Sequence, residues 1–199
     1  MKTTRLQLFA KPPLPGKVKT RLIPDIGIEC ATAVYRHCLQ SNIELLKQSP
    51  FDIELWLTDE SDDSLFDGLS VRYQQGPDLG ARMLYALRDA LQHDFHKVIL
   101  IGADCLDLSD RLLRRVCDNL QQHELVLIPA HDGGYVLIGL CARVAPELFE
   151  DIRWSSDQVL KQTLERAMRL GLDTRVMNPL RDIDRVHDLQ HYPQLTQLL

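Results

Sequence analysis

The stretch Lys11-Pro12-Pro13-Leu14-Pro15-Gly16-Lys17-Val18-Lys19-Thr20-Arg21-Leu22 carries four cations, and its three prolines keep it out of a regular helix. Such a loop suits phosphate. Gly16 lets the backbone come close to an anion, Lys19 and Arg21 neutralise phosphate oxygens, and the Arg21 fork can grip two oxygens at once. A solvated basic loop has the same composition, so the cradle is one of two expectations here. The G-x-x-x-x-G-K-[ST] spacing of a Walker loop is absent.

A carboxylate follows the apolar run Lys97-Val98-Ile99-Leu100-Ile101-Gly102, in Gly102-Ala103-Asp104-Cys105. Mg²⁺ takes oxygen ligands, commonly one or two protein carboxylates completed by water and substrate phosphates, and Asp104 suits that role. Its plainer role is to cap a turn at the strand end. Asp132-Gly133-Gly134-Tyr135 lies between two apolar runs, which is a strong hairpin signal, while paired glycines also let a backbone pack against a sugar or a base. Asp182-Ile183-Asp184 and Asp188 add carboxylates near the C-terminus, where spacing favours Asp184 as the N-cap of a terminal helix. No zinc motif occurs: His187 and His191 are four apart but lack H-E-x-x-H, and no G-x-S-x-G elbow supports a serine hydrolase.

The elements that must position these groups alternate. Thr4 to Ala10 reads as a strand, Lys11 to Gly27 as a long loop, and Ile28 to Gln48 as a helix ended by Ser49-Pro50. Strands follow at 53–57 and 69–73, then a loop at 74–80 and a helix from Ala81 to Gln92. The run at 97–102 predicts a central strand covered on both faces. Ser109 caps a helix over 110–122, strands follow at 125–129 and 135–140, and Ser155 or Ser156 caps a helix through Leu170 whose inward face includes Val159, Thr163, Ala167 and Met168. A short strand is expected at 174–177. This alternation predicts one three-layer α/β/α domain over residues 1–199, with a mostly parallel sheet and ligands bound beyond the carboxyl ends of its strands.

Composition narrows the chemistry further. The 199 residues carry 28 acidic and 23 basic side chains, a net charge of -5, which gives no global reason to expect nucleic acid. Phosphate chemistry must then rest on a local cluster of cations. The apolar stretch after the basic start Met1-Lys2-Thr3-Thr4-Arg5 ends at Lys11, too short for a signal-peptide core, and no run reaches the roughly 18 apolar residues of a membrane span. A cytoplasmic protein is expected. Five cysteines with no C-x-x-C pair predict reduced, mostly buried thiols.

Taken together, Phe9-Ala10-Lys11-Pro12 through Leu22, Gly76-Pro77-Asp78-Leu79-Gly80-Ala81-Arg82-Met83, Gly102-Ala103-Asp104-Cys105, Pro129 through Leu140 and Trp154-Ser155-Ser156 resemble a bacterial family of small GT-A-like glycosyltransferases. That family is similar to nucleotidyltransferases, including the 2-phospho-L-lactate and molybdenum cofactor guanylyltransferases. The resemblance implies a nucleotide-diphospho-sugar transferase fold of the Rossmann-like GT-A type. It implies that Lys11, Gly16, Lys19 and Arg21 cradle phosphates, that Gly80 and Arg82 lie near base and ribose, and that Asp132, Gly133 and Gly134 form the acceptor-side loop. Mg²⁺ or Mn²⁺ would be held by Asp104, with Asp184 as the late carboxylate completing the shell. The family's usual proline after Asp-Cys is Leu106 here, and Arg185 stands where Thr commonly follows the late Asp.

The function expected is a metal-dependent transferase using a nucleotide or nucleotide-sugar and a separate acceptor, with Asp104, Lys19 and Asp132 as catalytic groups. Glycosyl transfer is favoured. Nucleotidyl transfer to a phosphorylated small molecule is the alternative, and a nucleotide-binding module without turnover is a further one.

Overall fold

The computed structural model describes residues 4–93, 95–141 and 144–199. The first residues of the basic start, Met1 to Thr3, and Ala142 at the end of an apolar run lie outside them. Among the described residues, seven strands form one sheet: β1 (Thr4–Ala10), β2 (Asp52–Leu57), β3 (Val71–Tyr73), β4 (Lys97–Gly102), β5 (Leu125–Pro129), β6 (Tyr135–Cys141) and β7 (Thr174–Val176). Their spatial order is β3-β2-β1-β4-β6-β5-β7. β4 is the middle strand, as its unbroken apolar run requires. Only β6 runs against its neighbours, pairing antiparallel with both β4 and β5.

Side chains alternate across the sheet, and the two faces have separate cores. Ile99 and Ile101 join Leu39, Ile43, Leu113 and Val116 on the side of α1 (Ile23–Lys47) and α3 (Asp110–Asn119). Val98 and Leu100 join Met83, Ala86, Leu87 and Ala167 on the side of α2 (Leu79–Gln92) and α4 (Val159–Arg169). The expected α/β/α layering follows directly. α2 is tied to the sheet by a buried polar contact, in which Gln7 Nε2 donates to the Ala86 carbonyl at 2.7 Å.

Several boundaries differ from the sequence expectation. α1 starts at Ile23, and Gly27 kinks it with φ 79°, a conformation that glycine adopts readily. Leu79 and Gly80 belong to the first turn of α2, because Asp78 caps that helix by accepting from the Ala81 N–H at 2.9 Å. α4 starts at Val159 without a serine cap: Ser155 has φ 64°, and the Ser156 hydroxyl donates to the Arg153 carbonyl at 2.6 Å. Met168 is 76% exposed, since Val159, Thr163 and Ala167 form the buried face of α4 and the flanking row Leu160, Leu164, Met168 runs out to solvent. The C-terminus forms 3-10 helices over Val186–His191 and Pro193–Leu198, whose buried Leu189, Tyr192 and Leu195 pack with Leu22, Val34 and Ile183.

No disulfide links the five cysteines: Cys38 and Cys105 are buried, while Cys30, Cys117 and Cys141 are partly exposed. Fewer thiols are buried than composition suggested. Among the described residues, no helix is long and apolar enough to cross a membrane.

Candidate functional site

β1, β2, β3 and β4 run parallel, so the segments that leave them at Ala10, Leu57, Tyr73 and Gly102 emerge at one end of the sheet. The loop after β1 is fixed there by local bonds. The Tyr35 hydroxyl accepts from the Lys11 N–H at 2.8 Å and donates to the Lys11 carbonyl at 3.1 Å, which pins the loop to α1. Gly16 turns the chain with φ 74°, and Val18 and Leu22 bury their side chains. Lys19 stands between these anchors in a left-handed conformation, φ 45°, that lysine rarely adopts. Strain of this kind collects at functional sites, where the surroundings hold it in place.

The Lys19 ammonium lies 2.9 Å from Asp104 Oδ2. Burial disfavours that charge, but the Asp104 carboxylate, through its charge and its hydrogen bond, more than offsets it and holds the lysine above its ordinary range. Lys19 is therefore charged at neutral pH. Asp104 is held from both sides: Asn42 Nδ2 donates to the Ala103 carbonyl at 3.1 Å, and the Ile183 N–H donates to the Asp104 carbonyl at 3.1 Å.

Ile183 is fully buried, and its neighbours Asp182 and Asp184 line the site. Asp184 does not cap the last helices; Asp188 does that work, accepting from the Asp184 and Arg185 N–H groups at 3.1 and 2.8 Å. The Asp184 carboxylate instead meets Arg21 Nη1 at 2.5 Å. The hydrogen bond from Asp184 and then its charge raise Arg21 above its usual range. Asp104 and Asp184, the two carboxylates expected to hold a metal, thus pair with Lys19 and Arg21, the two cations expected to meet phosphate.

Asp132 lies in the β5–β6 hairpin loop and accepts from the Gly134 N–H at 2.8 Å, so the hairpin expectation holds at the same residues that face the cleft. Asp182, which the sequence offered only as one of several late carboxylates, is pushed up to about 6, first by burial and then by the charges of Asp104 and Asp132. Asp104, Asp132 and Asp182 all line the same part of the cleft. The alternation of Asp182 and Asp184 around an apolar residue was the available signal.

These groups line one cleft with two lobes. The first, about 490 Å³, holds Lys11, Lys17, Lys19, Arg21 and Arg82. The second, about 460 Å³, holds Asp132, Asp182, Trp154, Tyr135 and Val136. Lys11, Arg21, Asp104 and Asp184 belong to both and mark the junction. Arg82 Nε donates to the Gly76 carbonyl at 3.1 Å and so also holds the loop before α2.

The glycines have different roles. A Cβ at Gly80 would lie 2.5 Å from Trp154 Cζ2, so this glycine makes room for the indole. A Cβ at Gly133 would lie 2.3 Å from the Asp157 carbonyl, and φ there is 91°, so Gly133 seats the hairpin against the start of α4. Gly16 has nothing within 4 Å of a would-be Cβ and lines neither lobe; its φ of 74° is what asks for glycine in the turn.

Asp104 and Asp184 supply only oxygen donors, which suits a hard cation such as Mg²⁺ or Mn²⁺ completed by water and phosphate. Among the described residues, no group of three or more His, Cys, Asp or Glu is arranged to hold a metal ion by itself. An all-protein cage of the zinc kind is thus not present there.

A mostly parallel sheet with flanking helices and a polar cleft at the strand ends defines the fold of the nucleotide-diphospho-sugar transferases and cytidylyltransferases. The chain belongs to the family described as "Uncharacterized protein conserved in bacteria (DUF2064)", whose model matches residues 40–156. It is similar to a candidate nucleotide-diphospho-sugar transferase from Desulfovibrio desulfuricans G20, with 32% identity, a TM-score of 0.89, and coverage of 95% of this chain and 85% of that one. The fold is shared with 4-diphosphocytidyl-2C-methyl-D-erythritol synthase from Anaerococcus prevotii DSM 20548, at 12% identity, TM-score 0.66, and coverage of 98% and 96%. It is shared also with CMP:2-keto-3-deoxy-manno-octonic acid synthetase complexed with CTP, at 10% identity, TM-score 0.59, and coverage of 99% and 100%. No curated protein matches the chain.

Proposed function

We propose that the protein is a metal-dependent glycosyltransferase that moves a sugar from a nucleotide-diphospho-sugar to an acceptor. The observation that carries this reading is the division of one cleft into a cation-lined lobe and a carboxylate-lined lobe that meet at Asp104. A diphosphate suits the first lobe. The second suits a sugar, whose hydroxyls donate to carboxylates and whose C–H face packs on an aromatic ring. The similarity to a candidate nucleotide-diphospho-sugar transferase over 95% of the chain supports the same class.

Transfer requires a bond from the acceptor oxygen to C1 of the sugar and loss of the bond from C1 to the diphosphate oxygen. Lys19 and Arg21, which pair with Asp104 and Asp184 before the nucleotide enters, offset charge on the departing diphosphate. Asp132, on the hairpin loop facing the second lobe, is the oxygen that takes up the acceptor proton. Asp104 and Asp184 would hold Mg²⁺ or Mn²⁺, which when bound supplies further neutralisation of the diphosphate. Nucleotide contacts require both carboxylates to exchange their present cation partners.

Nucleotidyl transfer, in which the α-phosphorus is attacked and pyrophosphate leaves, is the second reading. Five cations around the first lobe favour it, since they could balance a triphosphate. The expected kinship with guanylyltransferases belongs to this reading. Against it, a phosphorylated acceptor would have to enter beside Asp132 and Asp182. Incubation with Mg²⁺ and panels of nucleotide-diphospho-sugars and nucleoside triphosphates separates the two. Nucleoside diphosphate released from a sugar nucleotide is expected; pyrophosphate from a triphosphate would establish the second reading, and tight binding without either product would leave a binding module.

A further inference from the structure

Among the described residues of the strap between β6 and α4, Trp154 is the aromatic one that lines the second lobe. Its surroundings fix it closely. Asp151 and Ser155, on either side of it, both have positive φ, 51° and 64°, which non-glycine residues seldom adopt. Arg166 holds the strap from α4, donating to the Asp151 carbonyl at 2.9 Å, and Gln162 Oε1 accepts from the Arg153 N–H at 2.8 Å. On α2, Gly80 leaves space for the indole: an added Cβ would stand 2.5 Å from Cζ2 and 2.7 Å from Cε2 and Nε1.

The indole is set apart from an ordinary core tryptophan. Trp56 is fully buried, and its Nε1 donates to Glu54 at 2.7 Å. Trp154 packs only its inner side against the core beside α2 and α4; it is half-buried, lines the cleft, and among the described residues its Nε1 has no hydrogen-bond acceptor. It shares its lobe with Asp132 and Asp182. An aromatic face beside carboxylates fits a sugar ring, because ring C–H groups meet the negative face of the indole while hydroxyls donate to the carboxylates.

We propose that Trp154 is the platform on which the sugar of the nucleotide-diphospho-sugar rests, and that it determines the preference for a sugar nucleotide over the bare nucleotide. Gly80 is then a positioning residue acting through that ring. The inference rests on the glycosyltransferase reading, and the experiment separates the failure of one from the failure of the other.

Wild type, Trp154→Ala, Trp154→Phe and Gly80→Ala are titrated with UDP, GDP, ADP and dTDP and with UDP-glucose, GDP-mannose, ADP-glucose and dTDP-glucose, all with Mg²⁺. Folding of each variant is checked by circular dichroism. For the pair that wild type binds, Trp154→Ala and Gly80→Ala are expected to weaken the sugar nucleotide by about tenfold and the diphosphate by less than about twofold, with Trp154→Phe recovering much of the loss. The sugar nucleotide should also change wild-type tryptophan emission more than the diphosphate does, since the other tryptophan, Trp56, is sealed in the core. If wild type binds no sugar nucleotide, the transferase reading and this inference fall together. If it binds one and Trp154→Ala weakens both ligands alike, or neither, the platform alone is overturned.

Discussion

Lys19 and Asp104, 85 positions apart in the chain, form an ion pair in which the lysine side chain is 5% exposed and the carboxylate 38% exposed. The cation is therefore fixed by the protein while the anion still faces the cleft. Such a pair fixes the Lys19 ammonium beside the junction of the two lobes without any ligand, and it leaves the Asp104 carboxylate partly exposed to the cleft.

The cradle should discriminate by charge. Lys19→Ala or Arg21→Ala is expected to weaken a nucleoside diphosphate by about one to two decades and the matching nucleoside hardly at all, the size of a lost charge-assisted hydrogen bond. Arg21→Lys keeps the charge but not the fork and should lose most of the same affinity. Dissociation constants at matched salt and Mg²⁺ check this; equal effects on both ligands would remove the loop from the site.

Cys105 adjoins Asp104, yet chemistry through it is not expected. Burial pushes both Cys38 and Cys105 up to about 12. At about pH 8.5, fewer than about one in a thousand of either thiol is ionised, since each pH unit below the pKa removes a decade of thiolate. Iodoacetamide followed by mass spectrometry should label neither in the folded protein and both in denaturant. Cys105→Ser should retain turnover.

Asp63 offers a stability test remote from the cleft. Its carboxylate pairs with Arg36 at 2.5 and 2.8 Å and caps the Leu65 N–H at 3.0 Å. The Arg36 hydrogen bond holds it below its ordinary value of 3.8, so its contribution is present above that pH and is lost as pH falls through the lower folded value. Asp63→Ala should cost about 1 kcal/mol at pH 7, the usual worth of a cap with a partly exposed ion pair, and progressively less as the pH falls below the ordinary carboxylate value. Denaturant melts across that range, with unchanged nucleotide binding, check it.

Much of this frame is legible in the residues, because parallel strands must be apolar on both faces. The run Val98 to Ile101 could be placed at the sheet centre on that ground alone. The Ser109 cap of α3 and the hairpin at Asp132 were legible too, since each is set by near neighbours. The start of α4 was not: Ser155 takes a left-handed conformation in a strap that Arg166 and Gln162 hold at Asp151 and Arg153, contacts that sequence spacing does not reveal. Spacing alone favoured Asp184 as a cap, because Arg21, its partner, lies 163 positions away; only the family resemblance had placed it among the site carboxylates. Asp182 stood out only once burial and the approach of Asp104 and Asp132 had raised it.

The cation-lined lobe and the carboxylates of Asp104 and Asp184, once released from Lys19 and Arg21, are expected to hold a metal-bound nucleotide together. Calorimetric titration of the nucleoside diphosphate that binds best, in Mg²⁺ and in EDTA, tests it on wild type and Asp104→Asn. Wild type should lose about tenfold or more in affinity without metal, the scale of one or two charge-assisted contacts, while folded Asp104→Asn should show little difference between the two conditions. Equal affinity of wild type in Mg²⁺ and EDTA would contradict the account.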